Sequence, residues 1–307
     1  MKNDIDIEST DGLNTLHTVV WEPEGNPRAI LQISHGMIEH IERYDDFAGY
    51  LNSNGIAVVG NDHLGHGKTA GSPDDYGYFG ANASATVVSD LFKVTGYAKE
   101  RFGSDVPYFL LGHSMGSFMA RRYLIEHGDA LDGAVVCGTG YQPPAVLAIA
   151  SAVAACIGAV KGDRYRPESL KKMAFGSYNK RIPDAKSPNS WLSRDDEVVR
   201  RYDSDPMCTF SFTADGYRTL FGVLKFIQKK KNYGRIPKDL PVFLIAGEED
   251  PVGNYGKGVE KVFRAYSDIG IEDISLKLYP NDRHEILNEP DKEDVYSDIL
   301  LWLESHI

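Results

Sequence analysis

Cysteine is scarce in this chain of 307 residues, and basic residues are fewer than acidic ones. It has only three cysteines, Cys137, Cys156 and Cys208, an odd number at wide spacing. This argues against a disulfide framework and favours a reducing compartment. The 33 basic residues stand against 44 acidic ones, which gives a formal net charge of −11. Such a charge opposes binding to nucleic acid or to an anionic membrane surface.

Long apolar runs are also few. Residues 1–6 lack the basic start and apolar stretch of a secretory signal, which predicts a cytoplasmic protein. Residues 145–160 form an uncharged stretch rich in Ala, Val and Ile, which is short of the roughly 20 residues of a membrane span. Two interpretations stay open for this stretch: a buried helix, which we favour, or a lid that contacts membranes.

Apolar runs of strand length alternate with helical stretches along most of the chain. With 42% hydrophobic residues, the chain can bury a large core. The alternation is typical of an α/β protein, with a mostly parallel sheet covered by helices on both faces. We predict eight strands, at residues 5–8, 16–21, 29–34, 56–61, 108–111, 133–138, 242–246 and 275–279.

The gap between the sixth and seventh predicted strands is too long for a single crossover helix. We therefore predict one core, formed by residues 1–140 and 213–307, with an inserted cap at residues 141–212. Residues 213–231 are predicted to be a helix that rejoins the core. Three lysines at the end of this stretch fit a helix C-terminus, where positive charge is favourable.

A candidate nucleophile lies in residues 112–116, with the sequence Gly-His-Ser-Met-Gly. The segment follows a predicted strand and precedes a helical stretch at residues 117–126. A sharp turn at this point holds a serine hydroxyl out toward a base and a substrate. Side chains at Gly112 and Gly116 would collide with neighbouring elements as the turn closes. The pentapeptide alone occurs by chance, but its context favours Ser114 as a nucleophile.

An acid and a base follow in the chain order that such a site needs. The predicted strand 242–246 runs into a loop with Glu248, Glu249 and Asp250, and the last predicted strand is followed by His284. The carboxyl ends of parallel strands meet at one edge of a sheet, where ligands bind. We assign Asp250 as the acid and His284 as the base, and keep the two glutamates as alternative acids.

Two backbone N–H groups are candidate donors to the oxygen of a tetrahedral intermediate. One is the N–H of Met115, directly after the candidate nucleophile. The other belongs to Met37, because Gly36 follows the third predicted strand and can turn that amide toward the site. Removal of such a donor typically costs about 100- to 1,000-fold in turnover.

Motif residues are spread over most of the chain in four blocks. These are His35-Gly36 with Glu39-His40 and Arg43-Tyr44; Asp62 with Gly65-His66-Gly67; residues 112–116; and the loops of Asp250 and His284. Together they resemble the monoacylglycerol lipase and lysophospholipase group of α/β-hydrolases. Two small departures stand beside them: Leu64 where the group commonly has arginine, and Ser117 where glycine is usual.

The resemblance implies an α/β-hydrolase fold with a helical cap after the sixth strand. It also implies a catalytic triad of Ser114, Asp250 and His284, and an oxyanion hole from the amides of Met37 and Met115. The expected activity is hydrolysis of a carboxylic ester through an acyl-enzyme, with a monoacylglycerol as the favoured substrate. The expected partner is thus a small ester with an acyl chain.

Several alternatives stay open. A lysophospholipid is one, because basic residues of the insertion could reach a phosphate head group: Arg164, Arg166, Lys171 and Lys172. A short-chain or aryl ester, such as a feruloyl ester, is another, and a peptidase or amidase could use the same triad. A non-catalytic binding protein on this fold is a distant alternative. Serine at position 114 excludes epoxide and haloalkane hydrolases, which have aspartate at this turn.

Most of the nine histidines are predicted to be structural. His66, between two glycines, is expected to be a hydrogen-bonded packing residue. His35 and His113 are expected to brace loops. No H-E-x-x-H or comparable ligand spacing occurs, so we expect neither a metal nor a cofactor.

Overall fold

One sheet of eight strands organises the computed structural model, which describes residues 1–81 and 83–307. The strand order is β1-β2-β4-β3-β5-β6-β7-β8; β2 is antiparallel to both neighbours, and the six strands from β4 to β8 run parallel. This confirms the predicted eight-stranded, mostly parallel sheet. The strands are Lys2–Glu8 (β1), Thr15–Trp21 (β2), Ala29–Ser34 (β3), Ile56–Asn61 (β4), Tyr108–His113 (β5), Gly133–Cys137 (β6), Val242–Gly247 (β7) and Ile274–Tyr279 (β8).

The central parallel strands are apolar runs because helices cover both faces of the sheet. Every residue of β3 to β7 is buried. Successive side chains of a strand point to opposite faces, so each strand serves two cores. Leu110 and Val136 belong to the core on one face, and Leu111 and Val135 to the core on the other.

Helices form both outer layers. α1 and α10 pack on one face of the sheet, whereas α2, α3 and α9 pack on the other. Among the described residues the helices are Asp45–Ser53 (α1), Ala83–Phe102 (α2), Met115–His127 (α3), Pro144–Lys161 (α4), Glu168–Phe175 (α5), Asp196–Ser204 (α6), Ala214–Ile227 (α7), Lys230–Tyr233 (α8), Lys257–Ser267 (α9) and Lys292–Glu304 (α10).

Helix α4 follows β6 and packs against α7. Only one stripe of α4 is buried: Leu147, Ala150, Ala154 and Gly158. The preferred prediction of a buried helix is therefore wrong, since an all-apolar sequence does not reveal which of its faces a neighbour will cover. Among the described residues, α4 alone is long and apolar enough to cross a membrane, judged by length and composition only.

Helix α7 is shorter than the predicted helix at residues 213–231. It begins after Thr213, whose hydroxyl accepts a hydrogen bond from the first turn. It ends before Gln228, whose side chain makes two hydrogen bonds with the backbone of Gln142, at 2.9 and 2.8 Å. Lys229 is extended and precedes the separate helix α8. The prediction that the three lysines end one long helix is therefore wrong.

The buried carboxylate of Asp62 organises the loop after β4. Its Oδ1 accepts the N–H of Ile41 at 2.8 Å, and its Oδ2 accepts the N–H of Lys68 at 2.8 Å and lies 2.9 Å from Nδ1 of His17. A Cβ on Gly67, which has φ +46°, would collide with this carboxylate. Burial alone would raise the pKa of Asp62, but the hydrogen bonds outweigh it and lower the pKa to about 2.

We expect Asp62→Asn to lower the free energy of unfolding by about 2 kcal/mol near pH 6. The reason is that a pKa shift from 3.8 to about 2 is worth roughly 1.4 kcal/mol per unit. The lowered pKa stabilises only the ionised carboxylate, so the difference from wild type should shrink as the pH falls from about 4 toward 2. Urea denaturation at graded pH measures this.

Asp6→Asn is the matched control, because Asp6 is exposed on β1. This variant should unfold like wild type at every pH. A difference between wild type and Asp62→Asn that stays constant from pH 6 down to about pH 2 would contradict the role given to the charge of Asp62.

Candidate active site

Ser114 occupies a strained turn between β5 and α3. Its φ is +53° and its ψ −120°, a conformation whose cost is of the order of 1–3 kcal/mol. Its N–H donates to the carbonyl of Cys137 at 3.0 Å. Ser117 donates both its N–H, at 2.9 Å, and its hydroxyl, at 2.5 Å, to the carbonyl of Ser114. Ser114 is partly exposed at the carboxyl end of β5, as the sequence predicts.

Glycine is required on both sides of this turn. A Cβ on Gly116 would collide with the carbonyl groups of Ser34 and His35, and one on Gly112 would lie 2.5 Å from the carbonyl oxygen of Gly116. The loop after β3 therefore packs directly against the turn. The steric role predicted for the two glycines is confirmed.

His284 and Asp250 meet at the same edge of the sheet. Nδ1 of His284 lies 2.9 Å from Oδ1 of Asp250, and the two side chains are 2% and 0% exposed. The Nδ1 direction is not aligned for a hydrogen bond, and Oδ2 has no partner among the described residues. Glu248 and Glu249, the alternative acids, are exposed.

Two residues of the insertion, which the sequence did not single out, contact the segment of His284. The ring of Trp191 lies over the imidazole with centroids 5.0 Å apart. The N–H of His284 donates to the carbonyl of Trp191 at 3.3 Å, and the N–H of Glu285 donates to that of Leu192 at 2.7 Å. No sequence pattern marks these contacts, because they join segments about 90 residues apart.

The loop after β3 lies beside the candidate nucleophile. A Cβ on Gly36 would come 3.1 Å from Cβ of Ser114. Met37 follows, and then Ile38 with φ +59°, which is strained for a β-branched residue. Among the described residues, neither the N–H of Met37 nor that of Met115 donates to another protein group. Both donors are therefore free to bind a substrate oxygen.

A buried ion network joins the loop after β3 to the loop after β8. Arg43 donates to Glu39 at 2.7 Å and to both carboxylate oxygens of Glu285 at 2.7 Å. Glu39 also accepts the N–H of Gly36 and the hydroxyl of Tyr44, the latter at 3.0 Å. Burial opposes each charge, but pairing outweighs it, so the pKa of Arg43 is raised and that of Glu39 lies well below 4.5.

His113 connects this network to His284. Its Nδ1 lies 3.2 Å from Oε1 of Glu39, and its Nε2 lies 3.3 Å from the carbonyl oxygen of His284. Both neighbours accept, so the imidazolium form satisfies both. Burial alone would lower the pKa of His113, but the bond to Glu39 and its charge outweigh burial and raise the pKa above 6.5. The predicted bracing role of His113 is confirmed.

Two further histidines have the structural roles that the sequence predicts: His35 braces a loop, and His66 is a hydrogen-bonded packing residue. Nε2 of His35 accepts the N–H of His63 at 3.0 Å, and its Nδ1 lies 2.8 Å from the carbonyl oxygen of Gly36. Nδ1 of His66 lies 3.0 Å from the carbonyl oxygen of Leu64. Burial lowers the pKa of His66 to about 3, so this ring is a neutral packing residue.

One group in the part of the chain that the structure describes could hold a metal ion: His40, Asp205 and Cys208, with ligand atoms within 4.8 Å of one another. Nε2 of His40 lies 2.9 Å from Oδ2 of Asp205, which already pairs two of the three. Burial raises the pKa of the Cys208 thiol and outweighs the nearby positive charge of Arg43, which lowers it. The thiol therefore keeps its proton. These features favour the hydrogen-bonded pair over a cation.

Comparisons with known proteins agree with this geometry. A family model described as serine aminopeptidase, S33, matches residues 25–291. A monoacylglycerol lipase from Mycolicibacterium smegmatis is 28% identical over 292 residues, which are 94% of this chain and 92% of that protein. A monoglyceride lipase from Rattus norvegicus is 27% identical over 299 residues, or 94% of this chain and 86% of the other.

Among solved structures, a thermostable carboxyl esterase from Bacillus coagulans in complex with glycerol superimposes with a TM-score of 0.92. It is 30% identical, and the match covers 99% of this chain and 98% of the esterase. Together with the eight-stranded sheet, these matches confirm the fold and the family resemblance that the motifs imply. The chain belongs to the serine aminopeptidase S33 family of α/β-hydrolases.

Proposed function

We propose that this protein is a serine ester hydrolase that releases fatty acid from monoacylglycerols through an acyl-enzyme. One observation carries the proposal: a serine on a strained turn, a buried His–Asp pair and two free backbone N–H groups lie at one sheet edge. Each of these parts has a separate task in acyl transfer. The names of the M. smegmatis and rat relatives support the substrate class.

In the proposed mechanism Ser114 attacks the ester carbonyl. Nδ1 of His284 faces Asp250, which leaves Nε2 to take the serine proton and return it to the departing glycerol. Asp250 holds the tautomer and stabilises the imidazolium that forms. Water, activated by the same histidine, then attacks the acyl-enzyme and releases the fatty acid.

The oxyanion hole is assigned to the N–H groups of Met37 and Met115. Met115 is the first residue of α3, so its N–H lies at the positive end of the helix dipole. The N–H of Met37 belongs to the loop whose Gly36 packs against Ser114. Donors held rigidly in this way stabilise the negative charge that develops on the carbonyl oxygen.

We propose that residues 141–212 are a cap over this site, on a core of residues 1–140 and 213–307. Trp191 lies on His284, and its ring is next to Phe175, at 6.1 Å between centroids, and Tyr178, at 4.8 Å. An aromatic group above the catalytic edge suits an acyl chain and excludes water.

A glycerol ester is favoured over a lysophospholipid, because two of the candidate head-group residues already have partners. Arg164 pairs with Asp75 at 2.7 Å and lies over the ring of Tyr78. Arg166 donates to backbone carbonyl groups of the loop 73–76. Both arginines thus hold a surface loop. A short-chain ester is the second candidate, since the B. coagulans relative is a carboxyl esterase.

We further propose that α4 contacts lipid surfaces or micelles. Ile149 is 64% exposed and Val160 is 77% exposed, and Val146 and Val153 share the uncovered part of the helix. A large exposed apolar surface is uncommon on a monomer and is typical of a contact site. A helix that lies on the membrane would bring the cap to the place where monoacylglycerols are dissolved.

Hydrolysis of monoacylglycerols of graded chain length tests the proposed reaction and substrate together, with lysophosphatidylcholine and p-nitrophenyl butyrate in the same panel. We expect selective turnover of medium or long monoacylglycerols. Ser114→Ala, Asp250→Asn and His284→Ala should each lower kcat by about 10⁴-fold or more, since triad members act as a unit. A fluorophosphonate probe should label wild type and fail to label Ser114→Ala.

The matched controls are Glu249→Gln, an exposed acid beside Asp250, and His306→Ala, a histidine that pairs with Asp273 before the start of β8, whereas His284 follows the end of that strand; both should keep wild-type kcat. Selective turnover of the short ester would replace the lipase assignment with a carboxylesterase. Full activity in Ser114→Ala would refute the catalytic assignment.

Vesicle binding tests the role of α4. In co-sedimentation with phosphatidylcholine vesicles that contain monoolein, Ile149→Ser with Val153→Ser should reduce the bound fraction several-fold, because both changes remove apolar surface from the exposed face. Hydrolysis of p-nitrophenyl butyrate should stay unchanged. Leu301→Ser is the control, since Leu301 is 60% exposed on α10. Equal vesicle binding by all variants would contradict the proposed contact.

A further inference from the structure

The turn formed by Met37 and Ile38 is clamped at both ends. Before it, the N–H of Gly36 donates to the carboxylate of Glu39. At its end, the carbonyl oxygen of Ile38 accepts the hydroxyl of Tyr202 at 2.8 Å. A strained backbone persists only where its surroundings hold it, and Ile38 has a left-handed φ. The bond from Tyr202 is therefore one of the contacts that keep this turn in place.

Tyr202 reaches the turn from α6, in the insertion. Its side chain is buried, and its ring lies 4.9 Å from the guanidinium of Arg43. A second contact holds the end of α6: Asp205, the residue after the helix, pairs with His40 at 2.9 Å. Ring and hydroxyl thus have separate partners: the ring packs on Arg43, and the hydroxyl bonds the carbonyl of Ile38.

We propose that Tyr202 is a positioning residue for catalysis, which holds the Met37–Ile38 turn so that the N–H of Met37 faces the site. The inference rests on the proposed function, in which that N–H is half of the oxyanion hole. It assigns the insertion a part in transition-state binding, beyond covering the substrate. Loss of the hydroxyl leaves the carbonyl of Ile38 without this partner and lets the strained turn relax.

The effect of Tyr202→Phe on kcat and KM follows from the kind of interaction that the substitution weakens. A donor aimed at an oxyanion acts mainly in the transition state, so its misplacement lowers kcat and leaves KM nearly unchanged. Complete removal of a donor costs about 100- to 1,000-fold. Since Tyr202→Phe only loosens the position of a donor that stays in the chain, we expect a fall in kcat of about 10-fold.

The test compares wild type, Tyr202→Phe and Tyr296→Phe on p-nitrophenyl butyrate, with Ser114→Ala as the blank. Tyr296 is the matched control, because its buried hydroxyl donates to the backbone carbonyl of Leu287 at 3.0 Å, away from the Met37–Ile38 turn. Affinity for an alkyl boronic acid, which forms a tetrahedral adduct with a serine, reports on the oxyanion hole directly. Thermal unfolding shows that each variant is folded.

Tyr202→Phe should lose about 10-fold in kcat and a similar factor in boronic acid affinity, with KM within about twofold of wild type. Tyr296→Phe should match wild type in kcat, in KM and in affinity for the boronic acid. An unchanged kcat in folded Tyr202→Phe, or a loss confined to KM, would overturn the positioning role, while Ser114-dependent hydrolysis by the wild type would uphold the serine ester hydrolase on which the inference rests. Absence of hydrolysis in wild type would overturn the proposed function and this inference with it.

Discussion

Arg43 binds together two loops that are far apart in the chain and carry different parts of the site. It pairs with Glu39 of the loop after β3 and, through two hydrogen bonds, with Glu285 beside His284. Burying three charges is costly, and their mutual pairing offsets that cost only if the geometry is kept. His113 bridges the carboxylate of Glu39 and the carbonyl of His284. Any movement of one loop relative to the other would leave a buried charge unpaired.

The insertion makes hydrogen bonds with both of the loops that Arg43 joins. The carbonyls of Trp191 and Leu192 accept the N–H groups of His284 and Glu285. The hydroxyl of Tyr202 donates to the carbonyl of Ile38, next to Met37. Most of α4 is uncovered, because only Leu147 and a stripe of small residues are buried, with Ile157 packed partly against the core. One segment can therefore be held by hydrogen bonds next to the candidate site and still expose an apolar surface on α4.

Much of the fold and of the candidate site could be predicted, for local reasons. Buried parallel strands are short apolar runs, so the bounds of β3 and β4 match the prediction and the largest departure is three residues, at β1. The turn of Ser114 has a local glycine pattern, and Asp250 and His284 directly follow strands. Trp191 and Tyr202 could not be found in this way, since each acts through a contact between remote segments.

The sequence by itself determined the order of the strands along the chain, the nucleophile turn and the residue types at the sheet edge, because hydrophobic periodicity and glycine sterics act over a few residues. Tertiary structure decided the burial of α4, the end of α7 where Gln228 binds Gln142, and the burial of Asp250 beside His284 while two neighbouring glutamates are exposed. These depend on which surfaces meet when distant segments pack, and burial and pairing energies exist only once those surfaces are in contact.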